Sequence, residues 1–145
     1  MLMLFLDASA LVKRYVEEVG SEFVIEATAG QPVAISRLSA TEVASAICRR
    51  CREGDMRVEQ REAALLSLDA ERPAFHVVEL TEAITTRAAT LLRRHPLRAS
   101  DSVQLASCLL LADELGTSAR LVAFDDRLVD AAQAEGVECL ATSSR

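Results

Sequence analysis

Short apolar-rich runs recur along this chain without the in–out alternation of a half-exposed strand, and longer amphipathic segments separate them. Residues 2–6 form one continuous apolar run, and 33–35, 76–80, 120–124 and 137–140 are further short runs. Between them, apolar residues return at helical spacing over 8–16, 21–29, 40–52, 58–70, 82–93, 101–115 and 127–135. Gly20 breaks the pattern, Gly30, Gly54, Gly116 and Gly136 stop segments, and Pro73 and Pro96 follow two others. A strand that is apolar on both faces must be covered on both faces. Strands of that kind alternating with helices predict an α/β fold whose parallel sheet lies between two helical layers. No linker, repeat or low-complexity stretch divides the 145 residues, so a single domain over 1–145 is expected. Sheets of this class bind ligands beyond the carboxyl ends of their strands, where the strand order reverses. That is where chemistry is expected.

Composition narrows the chemistry. The chain has four Phe, one Tyr and no Trp, so its core must be aliphatic and it has no stacking platform for bases. Its net charge of −6 argues against holding nucleic acid by broad charge neutralisation. It argues less against an enzyme that gathers acids around a cation. Lys13 is the only lysine and the other basic residues are arginines, which contact phosphate in a bidentate manner. Cys48 and Cys51 form a C-x-x-C inside a helical pattern with no second close pair, so reduced, buried thiols are expected rather than a zinc site. Free thiols point to the cytoplasm. The apolar start is too short to span a membrane and runs straight into Asp7. His76 and His95 lie near no Ser or Cys nucleophile in the pattern, which excludes an acyl-transfer triad.

Four carboxylates stand where the fold predicts a site. Asp7 ends the first strand and Asp125 ends the strand over 120–124. Asp101 opens a long apolar helix, and Glu42 lies three residues after Ser39, as in a capping box. Taken singly, each is explained as a helix cap or a partner of a helix dipole. Taken together they allow a second reading, because both helices are apolar beyond their first turn and are expected to be buried with their acidic ends pointing the same way; if those ends meet the strand ends, several carboxylates share a small volume. Carboxylates crowded there repel one another unless a cation is present. A hard divalent ion such as Mg²⁺ suits such a set and supports phosphodiester hydrolysis.

Four stretches carry a resemblance over essentially the whole chain. They are Phe5-Leu-Asp-Ala-Ser-Ala-Leu-Val-Lys-Arg-Tyr15, Ser39-Ala-Thr-Glu-Val-Ala-Ser-Ala46, Leu97-Arg-Ala-Ser-Asp-Ser-Val-Gln-Leu-Ala106 and Leu121-Val-Ala-Phe-Asp-Asp-Arg-Leu128. In order and spacing they resemble the PIN-domain ribonucleases, in particular the VapC toxins of toxin–antitoxin pairs. The resemblance implies a three-layer α/β/α sandwich with a five-stranded parallel sheet in the order 3-2-1-4-5. It implies an endoribonuclease dependent on Mg²⁺ or Mn²⁺, leaving 5′-phosphate and 3′-hydroxyl ends. Asp7, Glu42, Asp101 and Asp125 match the catalytic acids. In this reading Asp7 and Asp101 ligate the metal, while Glu42 and Asp125 act through water or a second metal. Ser9 falls on a hydroxyl position that supports the first carboxylate. Ala123 departs from the pattern, because Thr or Ser is common two residues before the fourth acid. Asp126 is adjacent, but the Phe-Asp-Asp-Arg-Leu pattern puts Asp125 on the family position.

The same resemblance implies an RNA substrate, a homodimer and an antitoxin partner. The antitoxin would lay an apolar helix into a groove between the early helices and place a basic side chain near the acids; Leu11, Tyr15, Val43 and Ile47 could line that groove, but core packing is the first reading of each. Lys13, Arg14, Arg93, Arg94 and Arg98 are candidates for phosphate contact. Two other readings keep the fold: a catalytically weak RNA- or protein-binding module, and a free-standing RNA-processing nuclease. A phospho-acceptor receiver domain would need a lysine near its end, and Lys13 is the only one.

Overall fold

The computed structural model describes residues 2–116 and 118–140, so the parts of the single-domain expectation at Met1, Thr117 and 141–145 lie outside the described residues. The chain alternates strands and helices as expected. Strand β1 (Met3–Leu6) leads into the short helix α1 (Ala8–Leu11), a 3-10 turn (Val12–Arg14) and α2 (Ser21–Thr28). Strand β2 (Val33–Ser36) runs into α3 (Arg37–Arg52) and α4 (Val58–Glu71). A second 3-10 turn (Arg72–Ala74) precedes β3 (His76–Val78) and α5 (Glu82–Arg94). The chain closes with α6 (Ala99–Leu115), β4 (Ala119–Val122) and α7 (Asp126–Ala134).

All strand pairings are parallel, and the order is β3-β2-β1-β4. Successive side chains of a strand point to opposite faces, and here both faces are covered. Leu4 and Leu6 of β1, with Val33 and Ile35 of β2, pack into a core with Val24, Val43, Ile47 and Leu68 from α2, α3 and α4. Phe5, Ala34 and Leu121 point the other way, against Ile84, Leu91, Leu105, Leu111 and Leu128 from α5, α6 and α7. Phe5 is fully buried, and its transfer from water stabilises the fold by about 1.5–3 kcal/mol. The order reverses between β1 and β4, because the chain leaves β1 toward β2 and β3 and returns on the other side. Asp7 and Asp125 follow the two strands that flank this reversal.

The structure corrects three local expectations. The fifth strand, expected at 137–140, is a single bridge between Leu121 and Cys139 on the outer side of β4. The Val137 N–H is already bound to the Ala132 carbonyl (2.9 Å) in the turn that closes α7, so pairing begins only at Glu138. The helix expected over 8–16 tightens into the 3-10 turn after Leu11. This brings Lys13 4.5 Å from the centre of the Phe124 ring, beside Gly20. Gly20 has φ +97°, and a Cβ there would meet Phe124 at 2.8 Å, so the position needs glycine on both counts. The third correction concerns α3. It starts at Arg37, three residues before the expected position, because the extended Ser36 caps it by accepting the Leu38 N–H at 3.1 Å. The capping box expected for Ser39 and Glu42 therefore does not form. Ser39 is instead buried inside the first turns of α3.

The cysteines are all free thiols; Cys108 is buried, whereas Cys48, Cys51 and Cys139 are only partly so. Among the described residues, no helix is long and apolar enough to cross a membrane.

Candidate active site

Asp7 leaves β1 with an extended backbone and caps α1, its Oδ1 accepting the Ala10 N–H at 3.0 Å. The Ser9 hydroxyl donates to the same carboxylate at 2.7 Å and accepts the Phe124 N–H at 3.0 Å. Ser9 thus ties the acid after β1 to the loop that carries Asp125. Ala123, where a hydroxyl is common in the resembling family, is buried in the core, so the polar tie between the two strand ends comes from Ser9. Asp125 caps α7 through Leu128 N–H at 3.0 Å. The cap role read from sequence is real for Asp7 and Asp125, and each keeps a second carboxylate oxygen beyond the cap bond.

Asp101 sits in the first turn of α6, two residues further in than expected, because the helix begins at Ala99 after the extended Arg98. Glu42 lies on the second turn of α3. Its Oε1 accepts a hydrogen bond from Gln104 Nε2 at 2.8 Å. The same Gln104 nitrogen donates to the Ser39 hydroxyl at 2.9 Å. Gln104 is essentially buried and stands three residues after Asp101, on the same face of α6. It therefore ties the helix that carries Asp101 to Glu42 and Ser39 of α3. Sequence reasoning missed it, although a lone amide in the apolar run from Val103 to Ala112 is an available signal.

Electrostatics join the four acids. Burial pushes the Asp7 carboxyl up to about 7; hydrogen bonds from Ser9 and Ala10 oppose this, and the charges of Asp101 and Glu42 add to it. Burial also raises Glu42, against its bond to Gln104 and with the help of Asp101. Asp101 is raised by burial and by Asp125, against the charge and backbone N–H of Arg98. Asp7, Glu42 and Asp101 are thus each raised in part by another acid of the set.

Among the described residues, no three His, Cys, Asp or Glu side chains close around one point as a complete protein cage. The donor set is all oxygen and open. That fits a hard divalent ion that keeps several waters and takes one or two carboxylates directly, and does not fit zinc. A cavity of about 290 Å³ opens beside the acids, lined by Arg98, Asp101, Asp125, Asp126 and Arg127. A larger cavity of about 630 Å³ lies at the opposite end of the sheet, around Ala119 and Gly116. The position beyond the carboxyl ends of the strands favours the smaller one as the site.

Most of the other residues singled out from the sequence lie elsewhere. Leu11, Val43 and Ile47 are fully buried core residues, so they line no surface groove; Tyr15 alone of that set is partly exposed. Lys13 pairs with Glu18 at 2.8 Å, Arg14 with Glu71 at 2.6 Å, and Arg94 with Glu135 at 3.0 Å. Arg93 is exposed at the end of α5. Only Arg98 of that set reaches the acid cleft. His95 bonds Glu135 at 2.6 Å, not a nucleophile.

A parallel sheet between helical layers, with an acidic cleft beyond the carboxyl ends of its strands, defines the class of the fold. The PIN domain model matches residues 4–134, and the chain belongs to the PIN-domain family. It is 34% identical over 112 residues to Ribonuclease VapC45 and Ribonuclease VapC49 of Mycobacterium tuberculosis, covering 77% of this chain and 78% of each relative. Its fold is similar to that of VapC20 from Mycobacterium tuberculosis, described as a Sarcin-Ricin loop cleaving toxin. The TM-score is 0.65 and the identity 20%, over 88% of this chain and 94% of that one. It is also similar to a toxin-antitoxin complex from Klebsiella pneumoniae, with a TM-score of 0.57 and 17% identity over 84% and 86% of the two chains.

Proposed function

We propose that this protein is a Mg²⁺-dependent endoribonuclease and the toxin of a toxin–antitoxin pair. One observation carries the reading: a buried Asp7, pushed up to about 7, senses two further carboxylates at the reversal point of a parallel sheet. That crowding is costly in the bare protein and is relieved by a cation. The relation to the VapC ribonucleases supports RNA as the substrate. The fold shared with a toxin–antitoxin complex supports an antitoxin partner. A homodimer and a cytoplasmic location come with the same reading.

Asp7 and Asp101 are assigned as direct ligands, with Glu42 and Asp125 acting through water or a second ion. Mg²⁺, or Mn²⁺ in its place, would supply the positive charge that polarises the phosphoryl oxygen and lowers the pKa of a water. Ser9 and the Ala10 N–H fix the Asp7 carboxylate before any ion arrives. Gln104 occupies one oxygen of Glu42 and leaves the other to accept a proton from the attacking water. Burial and the Asp101 charge raise the proton affinity of Glu42 above that of an ordinary carboxylate, the direction a general base needs.

The test is cleavage of labelled RNA by the purified chain across a Mg²⁺ titration, with the new ends mapped. Ends carrying 5′-phosphate and 3′-hydroxyl, lost with EDTA and in Asp7→Asn, are expected. Cleavage that survives both EDTA and Asp7→Asn would overturn the assignment. Growth arrest on expression, relieved by a small neighbouring gene product, tests the toxin role.

A further inference from the structure

We propose that Arg98 and Arg127 form a clamp at the mouth of the acid cleft and grip a backbone phosphate of the RNA beside the one that is cut. The proposal rests on the nuclease reading and adds to it how the substrate is held. Both arginines line the 290 Å³ cavity together with Asp101 and Asp125. Their placement follows from the same two helix starts that place those acids. Arg98 stands at the N-terminal boundary of α6 with no capping bond from its side chain, three before Asp101, and Arg127 is the second residue of α7, two after Asp125. Arg98 is close enough for its charge to act on Asp101. Both side chains are exposed and can reach outward to a bound polyanion. Lys13, Arg14 and Arg94 are held by Glu18, Glu71 and Glu135.

The chemistry of the cavity sets when the clamp works. Its three carboxylates outnumber its two guanidiniums, leaving one negative charge in excess. A divalent cation on the acids reverses that sign. Guanidinium groups then offer planar, bidentate donors to phosphate oxygens. A phosphate contact positions the strand without reading bases, so the clamp acts on every sequence alike.

The test uses the full chain, Mg²⁺ and a fluorescein-labelled single-stranded RNA that it cuts. Arg98→Gln, Arg127→Gln and the double variant are compared with Arg87→Gln, whose guanidinium pairs with Asp113 in the C-terminal half of α6. Each clamp substitution is expected to raise KM about tenfold with kcat within about twofold. Each should also lower the slope of log(kcat/KM) against log salt by about 0.7. Arg→Lys should restore the slope and only part of the KM. Melting temperatures should not move, because both side chains are exposed. Fluorescence anisotropy should show RNA binding to Glu42→Gln, which leaves the cavity's charges intact, with Mg²⁺ and at least tenfold weaker binding without it. An unchanged KM and salt slope, an effect no larger than that of Arg87→Gln, or a fall in kcat alone would overturn the clamp while leaving the nuclease intact. If the unaltered chain cuts no RNA, the nuclease reading falls and the clamp falls with it.

Discussion

Replacing Asp7 by Asn should stabilise the metal-free protein at neutral pH while abolishing its chemistry. The Asp7 carboxyl is pushed from its usual 3.8 to about 7, first by burial and then by Asp101 and Glu42. A folded-state pKa above the unfolded one means that the native state holds a proton the unfolded chain has released. Stability is therefore lost as pH rises from about 4 to about 7, and the loss from this group levels off above that. At roughly 1.4 kcal/mol per pKa unit the full cost is about 4 kcal/mol. Relaxation and water entry around the charge reduce the expected effect to about 2–4 kcal/mol. Asn cannot ionise, and its oxygen can still accept the Ala10 N–H. Urea unfolding in EDTA should show the two proteins alike near pH 4, with the variant ahead by that amount at pH 8. In melting temperature this is about 5–10 °C for a chain of this size. Added Mg²⁺ should close the gap by stabilising the unaltered protein alone. A variant that is less stable at pH 8, or a difference that does not change between pH 4 and pH 8, would refute the claim that Asp7 is a buried acid under strain from its neighbours.

Other outcomes follow from the same geometry. Gln104→Ala should cut kcat about 10- to 100-fold, because it frees the Glu42 carboxylate, and Gln104→Glu should cut it at least as far by adding a like charge; single-turnover cleavage checks both. Ser9→Ala removes the bond to Asp7 and the acceptor for the Phe124 N–H; it should cost about 1–3 kcal/mol in urea unfolding and lower kcat. Leu105→Ala, in the core beneath α6, should cost about 2–5 kcal/mol with no change in the RNA ends produced by the folded fraction.

The strands and their acids could be read locally because each signal is local. An apolar run followed at once by Asp marks both the end of a buried strand and the start of a capped helix; Asp7 does both jobs, whereas β4 stops at Val122 and Asp125, beyond Ala123 and Phe124, only caps α7. The start of α3 could not be read that way. Ser36 and Ser39 are both good caps, and the choice between them depends on how far β2 stays extended. That is fixed by the pairing of Ser36 with Val78 on β3, a partner more than forty residues away. Gln104 was hidden for a similar reason. Nothing adjacent in sequence distinguishes it from a solvent-facing amide, and its meaning appears only when α6 brings it against Ser39 and Glu42 of α3. Leu11, Val43 and Ile47 fill the core, the role their helical spacing points to first, although periodicity marks a buried stripe without saying what buries it. Here the sheet does.

By itself the sequence determined the parallel α/β architecture, the placing of Asp7 and Asp125 as helix caps that follow strands, and the family motifs. These depend on periodicity, capping and turn chemistry within a dozen residues. Only the tertiary structure decided that Asp7, Glu42 and Asp101 from separate elements raise one another's proton affinity, that Gln104 and Ser9 hold two of them, and that Arg98 and Arg127 share a cleft with Asp101 and Asp125. That convergence depends on strand order and on helices packed across the sheet. It is set by the sum of long-range burial, which no local stretch of the chain encodes.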